Sequence, residues 1–247
     1  MTLSSLTRLK PGWYLLIALA IYAVVVTVLL ARASGQPEPP VEAPQPEAEA
    51  ATVAADGTTG EEGLWFPVPG ASLPASDENL PGAPRTYRHG VSQGFDFYAE
   101  DAGVPLVHGT PVVAAASGQV VRADVAFTEM DPRAWEVLMS DVAEAGADEA
   151  QLDALRGRQV WLRAEDGTVL RYGHLSGIRS GIRAGTNVYR GQVIGYVGNS
   201  GTDRAVAGSR DGARLRFEIW PTETEFFGAG LDATAVRLAA ATLFVGP

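Results

Sequence analysis

The stretch DGARLRFEIW, Asp211 to Trp220, decides how this chain is read. It alternates. Leu215, Phe217 and Ile219 fall on one side of an extended strand, and Arg214, Arg216 and Glu218 fall on the other. The first side reads as core. The second sets two guanidinium groups and a carboxylate two residues apart, and a well-made strand needs a reason to do that.

Composition narrows the field before any motif is weighed. The chain has 247 residues and a formal net charge of -10. That argues against a nucleic-acid partner, which calls for clustered positive charge. There are no cysteines. Disulfides, thiolate zinc sites, cysteine nucleophiles and a lipid anchor on an N-terminal cysteine are therefore excluded.

Residues 13–31, WYLLIALAIYAVVVTVLLA, form an uncharged apolar run. At about 1.5 Å per residue it spans a hydrocarbon core of roughly 30 Å. Arg8 and Lys10 precede it, Arg32 follows it, and the next basic residue is Arg85. The positive-inside rule places residues 1–12 in the cytoplasm and everything after the helix outside. The run exceeds the roughly 7 to 15 residues of a cleaved signal sequence, which favours an uncleaved anchor. Residues 32–63 are rich in Pro, Glu and Ala and read as a disordered, extended tether.

Residues 64–247 read as one mainly β domain. Its entry is proline-rich, with an apolar patch at Leu64, Trp65 and Phe66 that should dock on the domain. Short strands follow, rich in Val, Ile and aromatic residues between glycines. Asp166-Gly167 marks a hairpin. A helical insert over about 130–158 interrupts the strands. Asp131-Pro132 is a helix start, the first helix ends at Gly146, and a second runs from Asp148 to Leu155. The stretch from Asp232 to Phe244 predicts a C-terminal amphipathic helix.

Five short signals occur in one order: SQGFDF (92–97), GTPVVAAASGQVV (109–121), RYGHL (171–175), GTNVYRGQVIGYVGNSGT (185–202) and ARLRFEI (213–219). Together they resemble the M23 (LytM, lysostaphin-like) zinc metallopeptidase domain, whose members cut peptide crosslinks in bacterial cell walls. The resemblance implies an antiparallel sheet of the duplicated hybrid motif type. It also implies a zinc site with three neutral or anionic ligands and an open position for water.

This sequence departs from that pattern. By the resemblance, the three ligand positions are Ser92, Asp96 and Arg216, and the catalytic histidine positions are His174 and Arg214. Arginine stays protonated and only donates, so it cannot ligate zinc. The expectation is that zinc is lost. His89 should face away from the site along a continuous strand, and His108 sits in a loop. In place of the metal, Arg216 is expected to reach Asp96 with charge-assisted hydrogen bonds, while Glu218 neutralises Arg214.

The functional expectation is a membrane-anchored pseudopeptidase of the bacterial envelope, facing the periplasm or the exterior. Its groove, with Ser92, Asp96, His174, Arg214, Arg216 and Glu218, would bind peptidoglycan peptides, or the domain would dock on another envelope protein and regulate a wall hydrolase. Two alternatives stand beside this: an active zinc endopeptidase with nonstandard ligands, and a structural scaffold whose insert, with Trp135, Leu138 and Met139, makes the contacts.

Overall fold

A computed structural model describes residues 63–246. The apolar run 13–31 and nearly all of the tether lie outside the described residues. Among the described residues, no helix is long and apolar enough to cross a membrane.

In chain order the strands are β1 (Pro84–Arg85), β2 (Gly90–Val91), β3 (Phe95–Phe97), β4 (Pro111–Val113), β5 (Gly118–Ala123), β6 (Val160–Ala164), β7 (Val169–Gly173), β8 (Gly177–Ile178), β9 (Asn187–Val188), β10 (Val193–Tyr196) and β11 (Leu215–Trp220). The main sheet runs β3-β11-β7-β6-β5-β9, and each neighbouring pair in it is antiparallel. A second, three-stranded sheet runs β4-β10-β8, and β1 pairs with β2. The mainly antiparallel β architecture expected from the sequence is the one observed.

Local signals fix the helices. Helix α1 (Pro132–Ala145) starts where the Asp131 side chain accepts from the amides of Arg133 and Ala134, with Pro132 in the first turn. Helix α2 (Glu149–Arg156) starts on a reciprocal cap, in which the Asp148 and Gln151 side chains each take the other's backbone amide. Thr202 caps the short α3 (Asp203–Val206), and Asp232 caps α4 (Ala233–Leu243).

The core lies between the apolar face of the main sheet, the entry segment and α4. Phe66 stacks on Phe244 at 4.6 Å between ring centres, and Phe95 and Phe217 pack on the same ring. Leu64 donates its amide to Leu243 at 2.8 Å, so the entry patch does dock on the end of the chain. Tyr172 is fully buried, and its hydroxyl accepts from the Ala115 amide at 2.9 Å.

Both faces of β11 are buried. Leu215 and Phe217 are 0% exposed, and Arg216 and Glu218 are 7% and 1% exposed. The insert accounts for the second pair. It leaves the sheet after β5 and returns at β6, and it lays α1 and α2 over the polar face of β11. Gly157 ends α2 at φ +66, where a Cβ would stand 2.3 Å from the Ser200 backbone. Only glycine admits that approach, and the turn brings the Arg156 side chain down onto the sheet.

Candidate functional site

The register of β3 against β11 sets Asp96 opposite Arg216. Arg216 Nη1 donates to Asp96 Oδ2 and to Ser92 Oγ, each at 3.1 Å. The ion pair expected from the resemblance is therefore formed, and the two other ligand positions close on the same guanidinium nitrogen. Ser92 Oγ donates onward to the Gly94 carbonyl at 2.9 Å. Arg85 Nη2 joins Asp96 Oδ2 at 3.0 Å, and Arg214 Nε lies 3.7 Å from Asp96 Oδ1. Burial alone would raise the Asp96 pKa. Arg216, Arg214, His174 and Arg85 outweigh it and hold the carboxyl at about 2.

Glu218 does not neutralise Arg214, and that expectation is corrected. Its Oε1 accepts from Arg216 Nε at 2.9 Å and from Arg156 Nε at 3.0 Å. Its Oε2 accepts from Trp220 Nε1 at 2.9 Å and lies 3.9 Å from Arg171 Nη1. Arg214 turns instead to Asp96 and lies over the Tyr98 ring at 5.6 Å. Burial works against the Glu218 charge, but Arg216 and Arg156 prevail and lower its pKa. Arg171 is held between the Trp161 and Trp220 rings, 4.0 Å from each centre.

His174 adopts a left-handed backbone, φ 58. Its Nδ1 lies 2.8 Å from the Ser200 carbonyl, and its amide donates to the Arg156 carbonyl at 2.8 Å. A carbonyl only accepts, so Nδ1 carries the proton and Nε2 is bare. Burial, reinforced by Arg214, depresses the His174 pKa to about 3. The ring is a neutral acceptor. His89 is exposed and His108 half-buried in its loop, and neither lines the cavity that holds His174.

These residues do not fit a zinc ion. Two of the three ligand positions offer oxygens, but both are bonded to the guanidinium at the third. A dication there would meet Arg216, with Arg85 and Arg214 beside the same carboxylate.

Arg156 is the residue that reasoning from the sequence missed. It is 4% exposed, and besides Glu218 it donates from Nη2 to Gln93 Oε1 at 2.6 Å. Arg85 and Arg88 were missed as well. All three come from an entry loop or an insert that carries no periodic signal toward the site. One hint lay in the sequence: each is a basic residue in a chain with an acidic balance. The insert, as a roof, and the polar face of β11, as a floor, line an open cavity of about 420 Å³, with Trp135, Met139, Leu152 and Leu155 on the roof side.

The family model "Peptidase family M23" matches residues 139–227. Over that stretch the chain is similar to peptidase family M23. It holds His174, Arg214, Arg216 and Glu218; Ser92 and Asp96 precede it and join through the β3–β11 register. The M23 segment is degenerate at the two arginine positions. No curated protein matches the chain. Among solved structures, a zinc-containing peptidase from Vibrio cholerae is similar at 18% identity and a TM-score of 0.43, over 70% of this chain and 39% of that one. The chain thus spans well under half of that peptidase's length. The catalytic domain of lysostaphin from Staphylococcus simulans is similar at 23% identity and a TM-score of 0.36, over 60% of this chain and 77% of that one. A chain of the SpoIIQ–SpoIIIAH pore-forming complex is similar at 20% identity and a TM-score of 0.42, over 73% of this chain and 99% of that one.

Proposed function

We propose that this is a non-catalytic M23-type domain of the bacterial envelope, a pseudopeptidase whose former metal groove now serves binding or regulation. One observation carries the reading: a single nitrogen of Arg216 is bonded to both Asp96 and Ser92, where the resemblance puts a metal among its ligands. The chemistry that requires a polarised water needs a metal that the Arg216 guanidinium would repel, and a histidine at position 214 or 216 that this sequence lacks. His174, the one histidine kept, is uncharged and has its Nδ1 proton committed to the Ser200 carbonyl.

The apolar run at 13–31 supports an uncleaved inner-membrane anchor with the domain on the outer side. The partners this places within reach are peptidoglycan peptides and other envelope proteins. The test is elemental analysis of the full chain, purified in detergent, exposed to zinc and desalted, together with hydrolysis of isolated cell wall. Zinc well below one per chain and no hydrolysis is the expected result. Stoichiometric zinc with cleavage would restore the enzyme reading.

A further inference from the structure

The cavity over β11 carries more positive than negative charge. Arg85, Arg88, Arg156, Arg214 and Arg216 line it against the carboxylates of Asp96, Glu218 and Asp203. Asp203 is at the rim and lies 3.8 Å from Arg204, which leaves the interior further in surplus. Burial of unbalanced charge is costly, and in a chain of net charge -10 it is the opposite of what composition would produce.

The surplus sits on particular atoms. Arg88 is 8% exposed, and its Nε is buried without a hydrogen bond. Only its Nη2 donates, to the Val91 carbonyl. Burial, followed by the charge of Arg216, lowers its pKa. The Arg214 side chain makes no hydrogen bond; it approaches Asp96 at 3.7 Å and lies over the Tyr98 ring. Arg216 uses Nε and Nη1 but leaves Nη2 open. Beside these donors stand two acceptors, the bare Nε2 of His174 and Asp96 Oδ1, which accepts no hydrogen bond and faces Arg214 at 3.7 Å. Above them lies the apolar roof of Trp135, Met139, Leu152 and Leu155.

A ligand that satisfies this arrangement needs an anion, one N–H close to it, and an apolar group. We propose that the cavity receives the free C-terminus of a peptide ending in an apolar residue. The terminal carboxylate lies on Arg88, Arg214 and the open edge of Arg216. The amide N–H of the last residue donates to His174 Nε2, and its side chain packs under the roof. The proposal rests on the reading of this groove as a binding site. Two sources share the chemistry, the end of a protein chain and the end of a wall peptide, and the hand of the terminal residue separates them.

The experiment is calorimetric titration of the full chain in detergent with N-acetyl-Ala-Leu, with its C-terminal amide, and with acetate. The acid should bind at least about tenfold more tightly than the amide and than acetate. Arg88→Gln and Arg214→Gln should each lose about tenfold in affinity for the acid with the circular dichroism spectrum unchanged. Arg214 is the safer of the two, since its side chain is partly exposed. Trp135→Ala should weaken the peptide and leave acetate unaffected. N-acetyl-Ala-D-Leu against its L form then names the source, and tighter binding of either supports the proposal. Equal binding of acid and amide, no binding by folded protein, or acetate as tight as the peptide would each overturn it. Failure in zinc-free protein removes this ligand alone; retained zinc with cleavage removes the binding-site reading beneath it.

Discussion

Leu215, Phe217 and Ile219 on one face of β11, and Arg216 and Glu218 on the other, are all more than nine-tenths buried. The first face is buried by rings and aliphatic groups, which are attracted from any direction. The second is buried by partners that must arrive at fixed points: Asp96 and Ser92 from β3 and the turn before it, Arg156 from the insert, and Trp220 from the same strand. An apolar face tolerates a neighbour of a different shape. A charged one, once dry, tolerates no missing partner.

That contrast can be broken by substitution. Glu218→Gln keeps the shape but leaves Arg156 and Arg216 facing a neutral amide, and it should cost about 3 to 5 kcal/mol in urea unfolding. A cost under about 1 kcal/mol would show that water reaches this face and that the two faces do not differ in kind.

The next effect is set by pH. The His174 pKa is about 3 when folded and near 6.5 when unfolded. Above pH 6.5 neither state binds the proton. As pH falls below 6.5, only the unfolded chain takes it up, so stability drops by about 1.4 kcal/mol per pH unit until the folded value is reached. Asp96 adds a second loss in the same direction, between pH 3.8 and about 2. Unfolding measured from pH 7 to pH 4 should follow the first slope. His174→Asn should flatten it, since Asn tolerates the left-handed backbone at this position. A slope that survives the substitution would mean another group titrates there.

The smallest effect belongs to the apolar face. Ile219→Leu should cost about 1 kcal/mol or less, because volume is kept and no directed bond is lost. A cost matching that of Glu218→Gln would show that packing on this side is as directional as the charges opposite.

What was legible in the sequence follows the same division. The helix starts at Asp131, Asp148 and Asp232 could be read because a cap involves residues within three positions of one another. The Asp96–Arg216 pair could be read because alternation and the M23 pattern fix which positions face each other across two strands. The partner of Glu218 could not. Arg156 lies 62 residues away in the helical insert, and nothing in its local sequence points toward β11. The burial of the polar face was hidden for the same reason, since it depends on where the insert folds and not on β11 itself.

The buried arginines of the cavity also have a kinetic consequence. At long range an anion meets the field of a chain with net charge -10 and is repelled. Only within the last few ångströms do the guanidinium groups dominate, and there the walls exclude counterions. Dissolved salt screens the first of these fields and hardly touches the second. Added salt should therefore speed the arrival of an anionic ligand while leaving its departure nearly unchanged, the reverse of what an exposed basic patch would give.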